Sequence, residues 1–217
     1  MVPCITVLLL SGKVTALNRQ KRNIKRINVH LDGEYAFALP EIEAARLRIG
    51  QWLDDSEIAA LQQADEHERA HQQALNLLSY RPRSSVEIRR NLEGKGYSTE
   101  TIEQTLERLE AVGLVDDLDF ARYWIEQRRD FKPRGAAMLR HELRQKGISP
   151  AVVEEVVNTV DEEELAWRAA RAWVGRKRDL GPEELKQKLS AYLVRRGFAY
   201  SVVRETLSRL EDISSLK

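Results

Sequence analysis

The chain has 217 residues, with 35 Lys+Arg against 34 Asp+Glu, one cysteine, 42% hydrophobic and 6% aromatic residues. A net charge of +1 gives no overall pull toward a polyanion, and one cysteine excludes both a disulfide framework and a thiolate metal cluster. The longest apolar run, Ile5–Leu10, falls far short of the ~20 residues of a bilayer span and follows no basic segment, so a folded cytoplasmic protein without a membrane partner is expected.

In chain order, Val14, Ala16, Ile24, Ile27, Val29 and Leu31 alternate with period two, an Asp32-Gly33 step follows, and Tyr35, Phe37 and Leu39 resume the alternation. Asp-Gly between alternating runs signals a two-residue hairpin turn, so a small antiparallel hairpin or three-stranded element is predicted. Three strands bury little by themselves. The sheet is therefore expected to lean on a helix near Ile42–Leu47 or Ser56–Gln63, or to be ordered only by a partner, with residues 48–66 as an acidic bridge.

Beyond residue 65 three strings share one form: Leu92-Glu-Gly-Lys-Gly-Tyr97, Leu143-Arg-Gln-Lys-Gly-Ile148 and Leu193-Val-Arg-Arg-Gly-Phe198. Tyr97 is followed by Ile102, Leu106 and Leu109, Ile148 by Val153, Val157 and Val160, and Phe198 by Val203, Leu207 and Leu210. These identical offsets place the apolar residues on one helical face in each repeat. Upstream, the pairs Ile88/Leu92, Leu139/Leu143 and Leu189/Leu193 predict a helix before each glycine. Its start is marked by Pro82, Pro133 or Pro182 and, in the first repeat, by a Ser84/Glu87 capping box. Gly96, Gly147 and Gly197 stand where a helix ends in a left-handed turn. A first helix completes each repeat, near Glu66–Ser79, Asp117–Asp130 and Glu162–Arg178. The fold class is thus mainly α: three tandem three-helix repeats in an elongated or curved array, preceded by the small β element. The expected divisions are residues 1–65, 66–115, 116–160 and 161–217.

Charge follows the repeat. Residues 1–31 carry +6, 32–68 −8, 69–96 +4, 97–119 −6, 120–149 +5, 150–164 −6, 165–197 +6 and 198–217 zero. The bases fall on first and second helices: Arg81, Arg83, Arg89, Arg90 and Lys95; Arg128, Arg129, Lys132, Arg134, Arg140, Arg144 and Lys146; Arg176, Lys177, Arg178, Lys186, Lys188, Arg195 and Arg196. Stacked repeats align equivalent positions, so a basic stripe able to follow a backbone or filament groove is expected, since one-sign blocks leave few local partners. The bland alternative is that these bases pair with acids at i,i+4. The third helices carry Glu100, Glu103, Glu107, Glu110, Glu154 and Glu155, which would repel phosphate, so a helix-turn-helix reading fails.

His67-Glu68-Arg69-Ala70-His71 satisfies H-E-x-x-H, the spacing of zinc hydrolases. The surrounding helix is polar and only His30 and His141 remain as further histidines, so two surface histidines are expected rather than a metal site. No phosphate loop or nucleophile–base set is present, and no cofactor or enzymatic activity is expected.

The strings Leu78-Ser-Tyr-Arg-Pro-Arg-Ser84, Leu92-Glu-Gly-Lys-Gly-Tyr97, Gly113-Leu-Val-Asp-Asp-Leu-Asp-Phe-Ala121, Glu142-Leu-Arg-Gln-Lys-Gly-Ile148 and Val29-His-Leu-Asp-Gly-Glu-Tyr-Ala-Phe37 resemble the bacterial RecX family, from about Ile24 to the C-terminus, least closely in the third repeat and not at all over Met1–Ser11. The resemblance implies a non-enzymatic regulator that binds the groove of the RecA–DNA filament and represses ATPase, strand exchange and co-protease activity. It also implies tandem three-helix units, with DNA, single- or double-stranded, met through the filament. A monomer is expected. The charge reading then assigns the contact to Arg81, Arg83, Arg89, Arg90, Lys95, Arg128, Arg129, Lys132, Arg134, Arg140, Arg144, Lys146, Lys186, Lys188, Arg195 and Arg196. Reversing Arg140, Arg144 and Lys146 to glutamate is expected to weaken filament binding with helicity intact. A direct DNA-binding repeat acting without RecA is the alternative, and a zinc hydrolase the weakest of the three.

Overall fold

The computed structural model describes residues 11–21, 23–177 and 181–215; Cys4, the Ile5–Leu10 run, Arg22 and Arg178 lie outside the described residues. Packing divides the chain into two lobes. One runs to Leu75 and includes Lys95–Thr105, and the other takes Asn76–Gly94 and the chain from Leu106 on.

In the first lobe, Asp32 and Gly33 both adopt positive φ (49° and 93°), the conformation an Asp-Gly hairpin turn requires. They join β2 (Arg26–Leu31) to β3 (Glu34–Pro40), while β1 (Gly12–Arg19) pairs with the other side of β2. A fourth strand, β4 (Trp52–Leu53), pairs with β1, so the antiparallel order is β3-β2-β1-β4 rather than three strands. The inward residues Val14, Val29, Leu31, Phe37, Leu39 and Leu53 form one core with Ala44 of α1 (Glu41–Ala44) and Ile58 of α2 (Asp55–Leu78). Both expected supporting helices are present. Helix α2 begins at Asp55, eleven residues before the expected Glu66, because the stretch foreseen as a bridge buries Ile58. A two-bond ion pair, Arg26 to Asp65 at 2.7 and 2.8 Å, ties β2 to α2, and the hydrogen bond to Asp65 raises the Arg26 pKa.

The repeats are α2–α3 (Ser85–Glu93)–α4 (Thr99–Ala111), α5 (Asp117–Phe131)–α6 (Ala136–Gln145)–α7 (Pro150–Val157), and α8 (Glu162–Val174)–α9 (Pro182–Arg195)–α10 (Tyr200–Ser215). The side chains of Asp116, Ser149 and Asp161 cap α5, α7 and α8 by accepting first-turn N–H groups. Ser84 accepts the Glu87 N–H, but Glu87 does not return the bond that a capping box calls for, since its carboxylate is held by Arg81 and Lys146. Phe120, Leu139, Leu143, Leu189 and Leu193 are almost wholly buried, and they share one apolar cluster that spans the second and third repeats. Each contributes about 1.5–3 kcal/mol of burial free energy.

The joint between successive repeats occurs twice with the same chemistry. At the first, the Ser84 hydroxyl donates to the Lys146 carbonyl at 2.7 Å, the Ser85 N–H to Asp117 at 2.8 Å, and Val86 lies against Gly147. At the second, the Gly135 N–H donates to the Arg196 carbonyl at 2.9 Å, the Ala136 N–H to Glu162 at 3.2 Å, and Met138 lies against Gly197. In each, the start of one repeat's second helix sits on the glycine turn of the next, capped by an acid that begins the next repeat's first helix. A Cβ at Gly147 would stand 2.4 Å from Val86, so both the positive φ of 83° and the close approach require glycine. By register α9 would start near Lys186; it starts at Pro182, one turn earlier, so the third repeat's second helix lacks the short start used in both joints.

Candidate functional site

The second lobe assembles many of the predicted basic residues around one tryptophan. The indole N–H of Trp124, on α5, donates to Glu142 of α6 at 2.9 Å. The same carboxylate accepts from Arg128 at 2.6 Å and lies 3.4 Å from Arg134. The Arg128 guanidinium and the Lys146 ammonium both approach the Trp124 ring, 4.3 and 4.9 Å from its centre. Lys146 then donates to Glu87 of α3 at 2.6 Å, which Arg81 also grips through two bonds of 3.0 and 3.1 Å. Burial alone would raise the Glu87 pKa, but the hydrogen bonds from Arg81 and Lys146 outweigh it and hold the carboxyl at about 2, against an ordinary 4.5.

The other predicted positions divide by environment. Arg140 gives Glu154 two bonds of 2.9 and 3.1 Å and Asn158 one of 3.2 Å, with Arg144 on the same carboxylate at 3.5 Å. Arg196 donates to the Pro133 carbonyl at 2.9 Å and lies 4.6 Å from the Tyr192 ring centre. Burial lowers its pKa, and nearby Arg134 adds to the fall. Arg129–Asp130 and Lys188–Glu184 are exposed neighbour pairs of little energetic weight. Arg89 and Lys186 are also engaged. Arg83 is half-buried, and its Nε has no hydrogen-bond acceptor among the described residues. Arg90 is exposed and reaches the Gln145 carbonyl at 3.4 Å. Lys95, Lys132 and Arg195 are exposed and make no ion pair among the described residues.

Few of these cations find a local carboxylate, in line with the one-sign blocks, yet many are paired all the same. Partners arrive through the fold, as Glu87 does for Lys146 across 59 residues, and the pairs are mostly not i,i+4. Arg140 and Lys146 are therefore structural fasteners, and the triple reversal with Arg144 would disturb packing as well as surface charge. Sequence reasoning missed Arg204, an exposed cation on α10, whose signal was the exchange of a repeat-wide glutamate for arginine.

His71 is buried rather than on the surface, since α2 turns Ile58, Asp65, Ala70, His71 and Ala74 inward together. No group of three or more His, Cys, Asp or Glu residues suited to a metal occurs among the described residues. No described helix is long and apolar enough to cross a membrane.

The family model described as the regulatory protein RecX N-terminal domain matches residues 12–54. Models of the first, second and third RecX three-helix domains match residues 70–109, 116–157 and 161–207. A Bacillus licheniformis protein named Regulatory protein RecX is 31% identical over 203 residues, covering 91% of this chain and 77% of that protein. The chain belongs to the RecX family. A Prosthecochloris aestuarii protein of the same name is 41% identical over 143 residues, 65% of this chain and 93% of that protein. The fold agrees with a crystal structure of regulatory protein RecX at TM-score 0.65 and 30% identity, covering 90% of this chain and 98% of that one. A second, RecX from Lactobacillus salivarius, gives 0.59 at 21% identity over 68% of this chain and 98% of its own, a likeness of fold alone. The RecX match begins at residue 12 rather than near Ile24, so β1 belongs to the family's N-terminal domain. The third repeat, read as the poorest likeness, is matched by its own RecX model.

Proposed function

We propose that this RecX-family chain is a non-enzymatic regulator that binds the RecA–DNA filament and inhibits RecA's ATPase, recombinase and co-protease activities. The observation that carries this reading is the family membership across the sheet and all three repeats, whose relatives are named regulatory proteins. The charge geometry supports a division of labour. Arg81, Arg128, Arg134, Arg140, Lys146 and Arg196 are tied to carboxylates or a carbonyl within the fold, whereas the exposed Lys95, Lys132 and Arg195, with Arg90 and the outer, exposed Arg144 of the Glu154 pair, are left to face acidic protein surface or phosphate.

The test is ATP hydrolysis by RecA on single-stranded DNA with increasing purified protein. Inhibition at micromolar or lower concentration is expected, and an unchanged rate overturns the reading. Bare-DNA binding separates the alternative: a regulator of the filament persists on RecA–DNA at physiological salt, where a purely electrostatic DNA binder fades.

A further inference from the structure

The three repeats share two register positions on facing helices, three residues before the second-helix leucine and one after the third-helix apolar residue. The second repeat fills them with Arg140 and Glu154, which close the groove between α6 and α7 with bonds of 2.9 and 3.1 Å. The first repeat carries the same two residue types, Arg89 and Glu103. In the third repeat they become Ser190 and Arg204. The arginine that would span the groove is cut back to a hydroxyl, and the carboxylate it would meet is replaced by a cation.

The structural result is an open cavity of about 310 Å³ between α9 and α10, floored by Val203 and Leu207 and edged by Ser190, Arg204, Ser208 and Tyr200. Its size suits a single small unit, at the low end of ligand sites. Arg204 is exposed and makes no hydrogen bond or ion pair among the described residues. Tyr200, whose equivalents are Thr99 and Pro150, leaves 76% of its surface to solvent at the cavity's edge. Lys186 adds a second positive charge at the rim.

We propose that this groove grips single-stranded nucleic acid, with a backbone phosphate on Arg204 and an adjacent base stacked on Tyr200. A cation, two hydroxyls and a free aromatic face around a one-nucleotide space are the ingredients of sequence-tolerant single-strand binding. An acidic peptide would use the cation but give the ring no planar partner. The site goes beyond the filament reading, since it needs no recombinase.

The experiment is fluorescence anisotropy of a labelled oligothymidylate of about 12 nucleotides, titrated with the full chain across a salt series without RecA. Arg204→Glu, which installs the residue of the other two repeats, is expected to weaken binding about tenfold and to lower the log–log salt slope by about one. Tyr200→Ala is expected to weaken binding about tenfold with the slope unchanged. The double variant Ser190→Arg/Arg204→Glu recreates the pair of the second repeat. It should keep the parent's circular dichroism and melting temperature while losing oligonucleotide affinity, which separates groove loss from misfolding. Unaltered affinity in Arg204→Glu or in the double variant overturns the proposal. So does equal binding of Tyr200→Ala, equal competition by polyglutamate, or thymidine monophosphate competing as well as the strand. RecA inhibition can fail while the strand binds, or hold while it does not, so the two readings fall separately.

Discussion

Replacing Glu87 by glutamine removes the charge that Arg81 and Lys146 share but keeps the size of the side chain and its backbone N–H bond to Ser84. A fall in pKa from 4.5 to about 2 corresponds at full weight to ~3 kcal/mol of folding stability. Arg81 and Lys146 keep 30% and 25% of their side-chain surface in water, so screening reduces the expected loss to about 1–2 kcal/mol. In a chain of this size that is a drop of roughly 3–6 °C in melting temperature at pH 7. The sign in pH follows from the lowered carboxyl. The contribution is complete above the unfolded value of 4.5 and drains as pH falls toward 2, so the gap between parent and Glu87→Gln should narrow from pH 7 to pH 4 and shrink by about half by pH 3. Thermal melts and urea titrations followed by circular dichroism at those three values read it directly. Equal stability at pH 7, or a gap that stays constant with pH, would refute the account of Glu87 as the shared partner.

The glycine turns make a paired prediction. Gly147→Ala meets both the left-handed backbone and Val86 at 2.4 Å and should cost about 3 kcal/mol, whereas Gly96→Ala, with nothing within 4 Å, should cost about 1 kcal/mol by urea denaturation. Trp124→Phe gives up the bond to Glu142 and weakens the cation contacts, for an expected loss of about 1–2 kcal/mol in the same assay. The triple reversal Lys132→Glu/Arg144→Glu/Arg195→Glu should weaken RecA–DNA filament binding with little change in melting temperature. Arg128→Glu should lower the melting temperature instead, because it places a second carboxylate beside Glu142. A filament affinity untouched by the triple reversal would reduce those cations to solubilising charge.

Features with a period were legible in the sequence; those made by contact across the chain were not. The offsets after Tyr97, Ile148 and Phe198 located the third helices, and Asp32-Gly33 located the turn, because each is a local demand on backbone or face. The two-residue β4 carries no period of its own and exists only by pairing with Gly12 and Lys13. The early start of α2 was hidden by a polar stretch in which Ile58 alone is buried among its first turns. The basic residues were read as lying on first and second helices, but Arg81, Arg83, Lys95, Lys132 and Arg134 lie between helices, where no period marks them, and a block count of charge cannot bring Glu87 to Lys146 or Glu142 to three separate groups.

The early start of α9 sets a limit on growth by duplication. A joint of the kind made at Gly147 and Gly197 needs a second helix that begins in step, with a small residue where Ser84 and Gly135 stand. In the third repeat Leu185 holds that position, already inside a helix that began at Pro182. Another repeat stacked in the same register would have to displace that first turn before its glycine could reach the seat. Lengthening such a protein therefore requires rewriting Pro182–Leu185 as well as adding a new copy, and putting that four-residue stretch in place of Arg81–Ser84 or Lys132–Gly135 should act as a stop.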